Sequence, residues 1–188
     1  MPHRPEDPAG TLGLLSTKAS RQTGSGGLQP LTAALLMVGA AGLAGLVARQ
    51  SSPDKAHPRI QAWYRRLDKP DFTPPDAVFG LAWPALETLM AAAGYRLLRA
   101  PSSRERNVAL ALLGVNFAMI PAWTKVFFGE REVGGGLGLA LAYLGTSVGF
   151  VAAARPVDPL AAAAGVPLAA WVAFASAITE EVWRTNDV

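Results

Sequence analysis

LQPLTAALLMVGAAGLAGLVA, residues 28 to 48, runs for twenty-one residues without an ionisable side chain. At about 1.5 Å of rise per residue, a helix of this length crosses a hydrocarbon core of about 30 Å. A helix lying on the core of a small soluble domain would show a polar face, and this run has none. Gly39, Ala40, Ala41, Gly42, Ala44 and Gly45 permit close approach by neighbouring helices.

Four further runs of similar character cover about 77–98, 108–128, 135–154 and 160–182. Together they predict an all-α integral membrane protein: a five-transmembrane-helix bundle occupying residues 28–186. A β-barrel would need apolar residues at every second position, and Leu137 to Leu144 and Ala161 to Gly165 show no such alternation. The composition agrees. Of 188 residues, 51% are hydrophobic and 16% charged, against about 25% charged in soluble domains. The net charge of +3 does not point to nucleic acid, because the basic residues sit between apolar runs and form no basic face. With five spans, eight Lys or Arg fall on one side of the membrane and nine on the other, so they set no orientation. There is no cysteine, which excludes disulfides, zinc–thiolate sites and thiol nucleophiles.

Residues 1–27 are polar and rich in Gly, Ser, Thr and Pro, and read as a disordered tail. Leu12 to Leu15 is too short for a secretory signal, and Glu6 and Asp7 count against a transit peptide. Residues 49–75 form a long polar connection. Within it, Ile60, Trp63, Tyr64 and Leu67 share one face of a short helix over Arg59 to Leu67. Trp63 and Tyr64 would then sit at headgroup level. Asp76 is expected to cap the second span, and Gly134-Gly135-Gly136 is expected to be a flexible turn.

The stretch from Trp63 to Trp83 reads WYRRLDKPDFTPPDAVFGLAW. It resembles the signature of the TspO/MBR family, the tryptophan-rich sensory proteins and translocator proteins. The likeness rests on Trp63, Leu67, Lys69-Pro70, Phe72, Pro74-Pro75, Phe79-Gly80 and Trp83. Ala122-Trp123-Thr124 with Phe127-Phe128-Gly129 resembles the end of the family's third helix. Pro167, Trp171, Phe174, Ala175, Trp183, Arg184 and Asn186 resemble its fifth. The resemblance implies five membrane helices around a pocket capped by the first loop. It also implies a tetrapyrrole such as protoporphyrin IX, or a sterol-class or other lipophilic molecule, as ligand. Such a protein would be a sensor or regulator in a bacterial or organellar membrane.

Under that reading the candidate ligand-binding residues are Trp63, Phe72, Phe79, Trp83, Glu87, Asn116, Trp123, Trp171 and Phe174. Trp83 and Trp171 offer indole faces for a planar macrocycle, or they are ordinary core packing. Glu87 follows Trp83 by one turn and lies inside a span, where a carboxylate is costly and points to function or to a cationic partner. Asn116 is either a ligand contact or a satisfied interhelical one. Glu180 and Glu181 read as a solvated helix end, and Lys125 as snorkelling outward.

The chain also departs from the family pattern. Glu87 stands where the second helix has Tyr, Ile120 where the third has Asn, and Leu168 where the fifth has Tyr. A second reading therefore stays open: an assembly or scaffold subunit that keeps the fold and has lost the pocket. Its contact surface, or that of a homodimer, would be a small-residue stripe at Gly114, Ala118 and Ala122 or at Gly145 and Gly149. No cofactor is required. His3 and His57 have no partners at metal-ligand spacing, and no base is placed to activate a Ser or Thr nucleophile.

Overall fold

The computed structural model describes residues 26–186; residues 1–25, most of the expected tail, lie outside them. Helix α1 spans Pro30–Arg49, α2 Pro58–Arg66, α3 Asp76–Arg99, α4 Arg104–Thr124, α5 Val133–Ala154 and α6 Pro159–Thr185. A π-helical turn, Lys125–Gly129, prolongs α4. All but the short α2 are long and apolar enough to cross a membrane.

The helices extend a few residues past the apolar runs because local chemistry fixes their ends. Ser103 accepts a hydrogen bond from the Arg106 N–H (3.1 Å) and starts α4 four residues before the predicted edge. Asp158 accepts from the N–H groups of Leu160 (2.9 Å) and Ala161 (3.0 Å) and opens α6. The same carboxylate pairs with Arg96 Nε (2.9 Å), tying the end of α3 to the start of α6. Burial opposes ionisation of Asp158, yet these partners hold its pKa below the ordinary value. Pro30, Pro58 and Pro159 enter the first turns of their helices, where their missing N–H is not needed.

Two expectations are corrected. Asp76 is not the cap of α3 but its first residue, with Pro75 in the cap position; the carboxylate there meets the positive end of the helix dipole. Gly134, Gly135 and Gly136 are the first turn of α5 rather than a flexible turn. The fold has a use for them: a Cβ on Gly136 would stand 2.7 Å from the Phe127 ring.

α5 packs along both α4 and α6, α3 packs on α6, and α1 lies over α3 and α4. The core runs through Met90, Leu97, Leu113, Phe150 and Leu168, all nearly inaccessible. α1 buries only Ala33, Ala44 and Ala48 and turns Leu31, Leu35, Leu43 and Leu46 outward. In lipid such leucines are ordinary surface, and contacts between helices rely on close packing. Glycines supply it. Phe150 fills the space over Gly165, and Met37 and Leu113 close over Gly94.

A Cβ on Gly165 would meet Phe150 at 2.6 Å, whereas one on Gly145 meets nothing within 4 Å. Gly165→Ala should therefore destabilise the bundle by about 1–3 kcal/mol. Gly145→Ala should be neutral or stabilising by up to about 1 kcal/mol. Circular dichroism of unfolding in mixed detergent micelles separates the two.

Candidate functional site

The aromatic residues gather in three neighbouring sets. The first is the cap. α2 lays Trp63 edge-on against Phe127 (5.9 Å between centroids) and Tyr64 against Phe128 (5.3 Å). Trp123 stacks on Phe127 at 4.7 Å. The π-turn makes this possible: its wider coil aims Phe127 inward and Phe128 at α2, with the Glu130 N–H donating to the Lys125 carbonyl at 2.8 Å. Arg131 then takes a left-handed backbone (φ 61°), an uncommon conformation for a non-glycine residue. Its guanidinium lies 5.9 Å from the Trp63 ring. Lys125 pairs with Glu130 at 3.5 Å.

The first loop is held in two places. Lys69 Nζ donates to the carbonyls of Tyr64 (2.7 Å) and Leu67 (3.0 Å) and stands 4.6 Å over the Tyr64 ring. This satisfies carbonyls that α2 leaves open at its end. Burial lowers the Lys69 pKa, against the charges of Asp76 and Asp68. Burial and the Asp76 charge push the Tyr64 hydroxyl up to about 12. The second hold is Asn186. Its Oδ1 accepts from the Asp68 N–H (2.9 Å), and its Nδ2 donates to the Asp68 carbonyl (2.9 Å). The Thr185 hydroxyl donates a second bond to that carbonyl at 3.2 Å.

The second set lies beside a groove between α3 and α6, which Trp171 and Phe174 line. Phe79 meets Trp171 edge-on at 5.6 Å, Trp171 meets Phe174 at 5.9 Å, and Phe72 of the loop meets Phe174 at 6.3 Å. The groove, about 450 Å³, is walled by Ala82, Ala85, Leu86 and Leu89 on one side and Pro167, Ala170, Trp171 and Phe174 on the other. Ala85, Leu89, Pro167 and Ala170 are exposed, so it opens outward. The Trp171 indole N–H is buried without a partner.

The third set lies at mid-span, with Tyr143 and Asn116 buried and Trp83 and Glu87 partly exposed. Trp83 stacks on Tyr143 of α5, 6.4 Å apart and 14° from parallel. Glu87, one turn on, packs against Gly45 of α1; a Cβ there would sit 3.5 Å from its Oε2. Asn116 is fully buried, and its Oδ1 accepts from the Thr146 hydroxyl at 2.6 Å. Its Nδ2 and the Tyr143 hydroxyl have no hydrogen-bond partner.

The nine sequence-derived candidates thus divide by place. Trp63 and Trp123 belong to the cap, Trp171 and Phe174 to the groove with Phe79 and Phe72 against their rings, and Trp83, Glu87 and Asn116 to the third set. Trp83 does not line the groove that holds Trp171. Sequence reasoning passed over Tyr143, Arg131 and the pairing of Asn186 with Asp68. Of these only Tyr143 left a signal, as a phenol in the middle of a span.

The TspO/MBR family model matches residues 32–184. Among relatives, protein CrtK of Rhodobacter capsulatus is 37% identical over 128 residues, 66% of this chain and 79% of its own length. The translocator protein of Homo sapiens is 33% identical over 126 residues, 66% of this chain and 75% of its own. The tryptophan-rich sensory protein of Cereibacter sphaeroides is 34% identical over 128 residues, 66% of this chain and 77% of its own.

Asn186→Ala should release the loop from α6. Losing hydrogen bonds worth about 1 kcal/mol each predicts at least tenfold faster amide exchange at Asp68, measured by hydrogen–deuterium exchange, with the bundle helices unchanged. With five apolar helices of spanning length, a loop cap and this match, the chain is a multi-pass integral membrane protein that belongs to the TspO/MBR family.

Proposed function

We propose that this protein binds a flat lipophilic ligand, of the tetrapyrrole class, in the groove between α3 and α6 and serves as a membrane sensor or regulator. The observation that supports this is the groove itself. It is concave, apolar and edged by Trp171 and Phe174, and the N–H of the Trp171 in its wall is buried without a partner among the described residues. A few placed polar groups in an apolar concavity are the usual form of a small-molecule site. A macrocycle would rest on the aromatic edge and give an acceptor to the indole. A sterol-class ligand shares the apolar chemistry but lacks the extended π face.

A second reading is a subunit of a membrane complex or a homodimer. It is favoured by the α1–α4 groove of about 350 Å³, where Gly114 and Ala118 would let a partner helix come close.

Titrating the purified chain with protoporphyrin IX and following tryptophan fluorescence tests the first reading. Saturable quenching is expected, weakened about tenfold by Trp171→Ala, which corresponds to about 1.4 kcal/mol. Saturable binding equally tight in Trp171→Ala and Phe174→Ala would move the ligand out of the groove. No binding, with a stable oligomer that Gly114→Leu disrupts, would favour the second reading.

A further inference from the structure

We propose that Glu87, Tyr143 and Asn116 form a separate polar centre that takes the protonated amine of a lipophilic ligand. Glu87 lies eleven residues in from Asp76 and twelve from Arg99. At about 1.5 Å per residue it is about 16 to 18 Å along the axis from the two ends of α3, beyond what a glutamate can span by snorkelling. A carboxyl at that depth calls for a partner. The membrane-spanning runs have none to give. Residues 30–48, 77–95, 107–124, 132–154 and 156–183 hold no Lys, Arg or His. Arg96 is held by Asp158, and Arg106 donates to the Leu97 carbonyl at 2.8 Å.

The surroundings of the carboxyl select for a cation. Trp83 and Tyr143 stack beside it and offer electron-rich faces, to which an ammonium is attracted, more so away from water. The Tyr143 hydroxyl, 2% exposed as a residue and without a partner, has lone pairs for an ammonium N–H. Asn116 Nδ2, buried on α4 with its Oδ1 already used by Thr146, is a free donor. It would bind an oxygen acceptor on the same ligand. Buried polar groups normally find partners, and here the Tyr143 hydroxyl and Asn116 Nδ2, from two helices, find none among the described residues. Gly45 of α1 faces the Glu87 carboxyl, whose Oε2 lies 3.5 Å from where a Cβ would stand. A ligand ending in a carboxylate would meet Glu87 as a like charge.

This centre does not depend on the groove between α3 and α6. Ala82, Ala85 and Leu89 face that groove, while Trp83 and Glu87 point elsewhere.

The test uses the full chain in phosphatidylcholine nanodiscs, with empty discs as the blank for partitioning. Three matched probes are titrated by calorimetry: 4-phenylbutylamine, 4-phenylbutanol and 4-phenylbutanoic acid. The amine should bind at least tenfold more tightly than the alcohol, with the acid weakest. Glu87→Gln, close to isosteric, should remove the amine's advantage and leave the alcohol unchanged, and Tyr143→Phe should weaken the amine severalfold. An amine no tighter than the alcohol, or an equal loss for both probes in Glu87→Gln, overturns the proposal. Should Glu87→Gln fail to fold, the wild-type order decides: acid binding as tight as amine overturns it.

Discussion

Large side chains seated on glycines are what the rest of this structure depends on. Lipid removes most of the hydrophobic drive between helices, because a leucine is equally at home against an acyl chain. Close approach then has to come from dispersion and shape. Phe150 over Gly165 sets α5 against α6, Met37 and Leu113 over Gly94 draw α1 and α4 to α3, and Phe127 over Gly136 fixes the π-turn against α5. Packed cores respond to changes of a single methyl group, so these seats determine where each functional side chain points.

From that packing follows a division of labour around α3. One flank, with Ala82, Ala85 and Leu89, walls an outward-opening groove with α6. The other carries Trp83 and Glu87 to α5 and α1. The loop with α2 closes one end, held by Lys69 on its own helix and by Asn186 from the end of α6. The cap therefore belongs to the same unit as α6, and whatever shifts α6 shifts the roof of the groove.

The fold was legible because lipid allows so few solutions. An uncharged run of twenty residues in water has many fates, whereas in a membrane its backbone must be helical. The likeness of Trp63 to Trp83 to a known family then placed the cap. Helix ends were legible only to within a few residues, because Ser103 and Asp158 set them through single hydrogen bonds. The glycine triplet was misread because its use, room for Phe127, is a tertiary contact. The same holds for the site. Asp68 and Asn186 are 118 residues apart, and nothing local marks them as partners. Trp83 and Trp171 looked like two walls of one pocket because spacing along separate helices carries no information about which flank each one faces.

That separation of the two tryptophans is the central claim, and lipid-borne quenching tests it most directly. In vesicles of phosphatidylcholine with brominated acyl chains, bromine reaches an indole only from the lipid side. The outward-opening groove predicts that Trp171→Phe removes more of the bromine-quenchable fluorescence than Trp83→Phe, whose indole is covered on one face by Tyr143. Equal losses from the two substitutions would contradict the separation and place both indoles in a single lipid-accessible pocket.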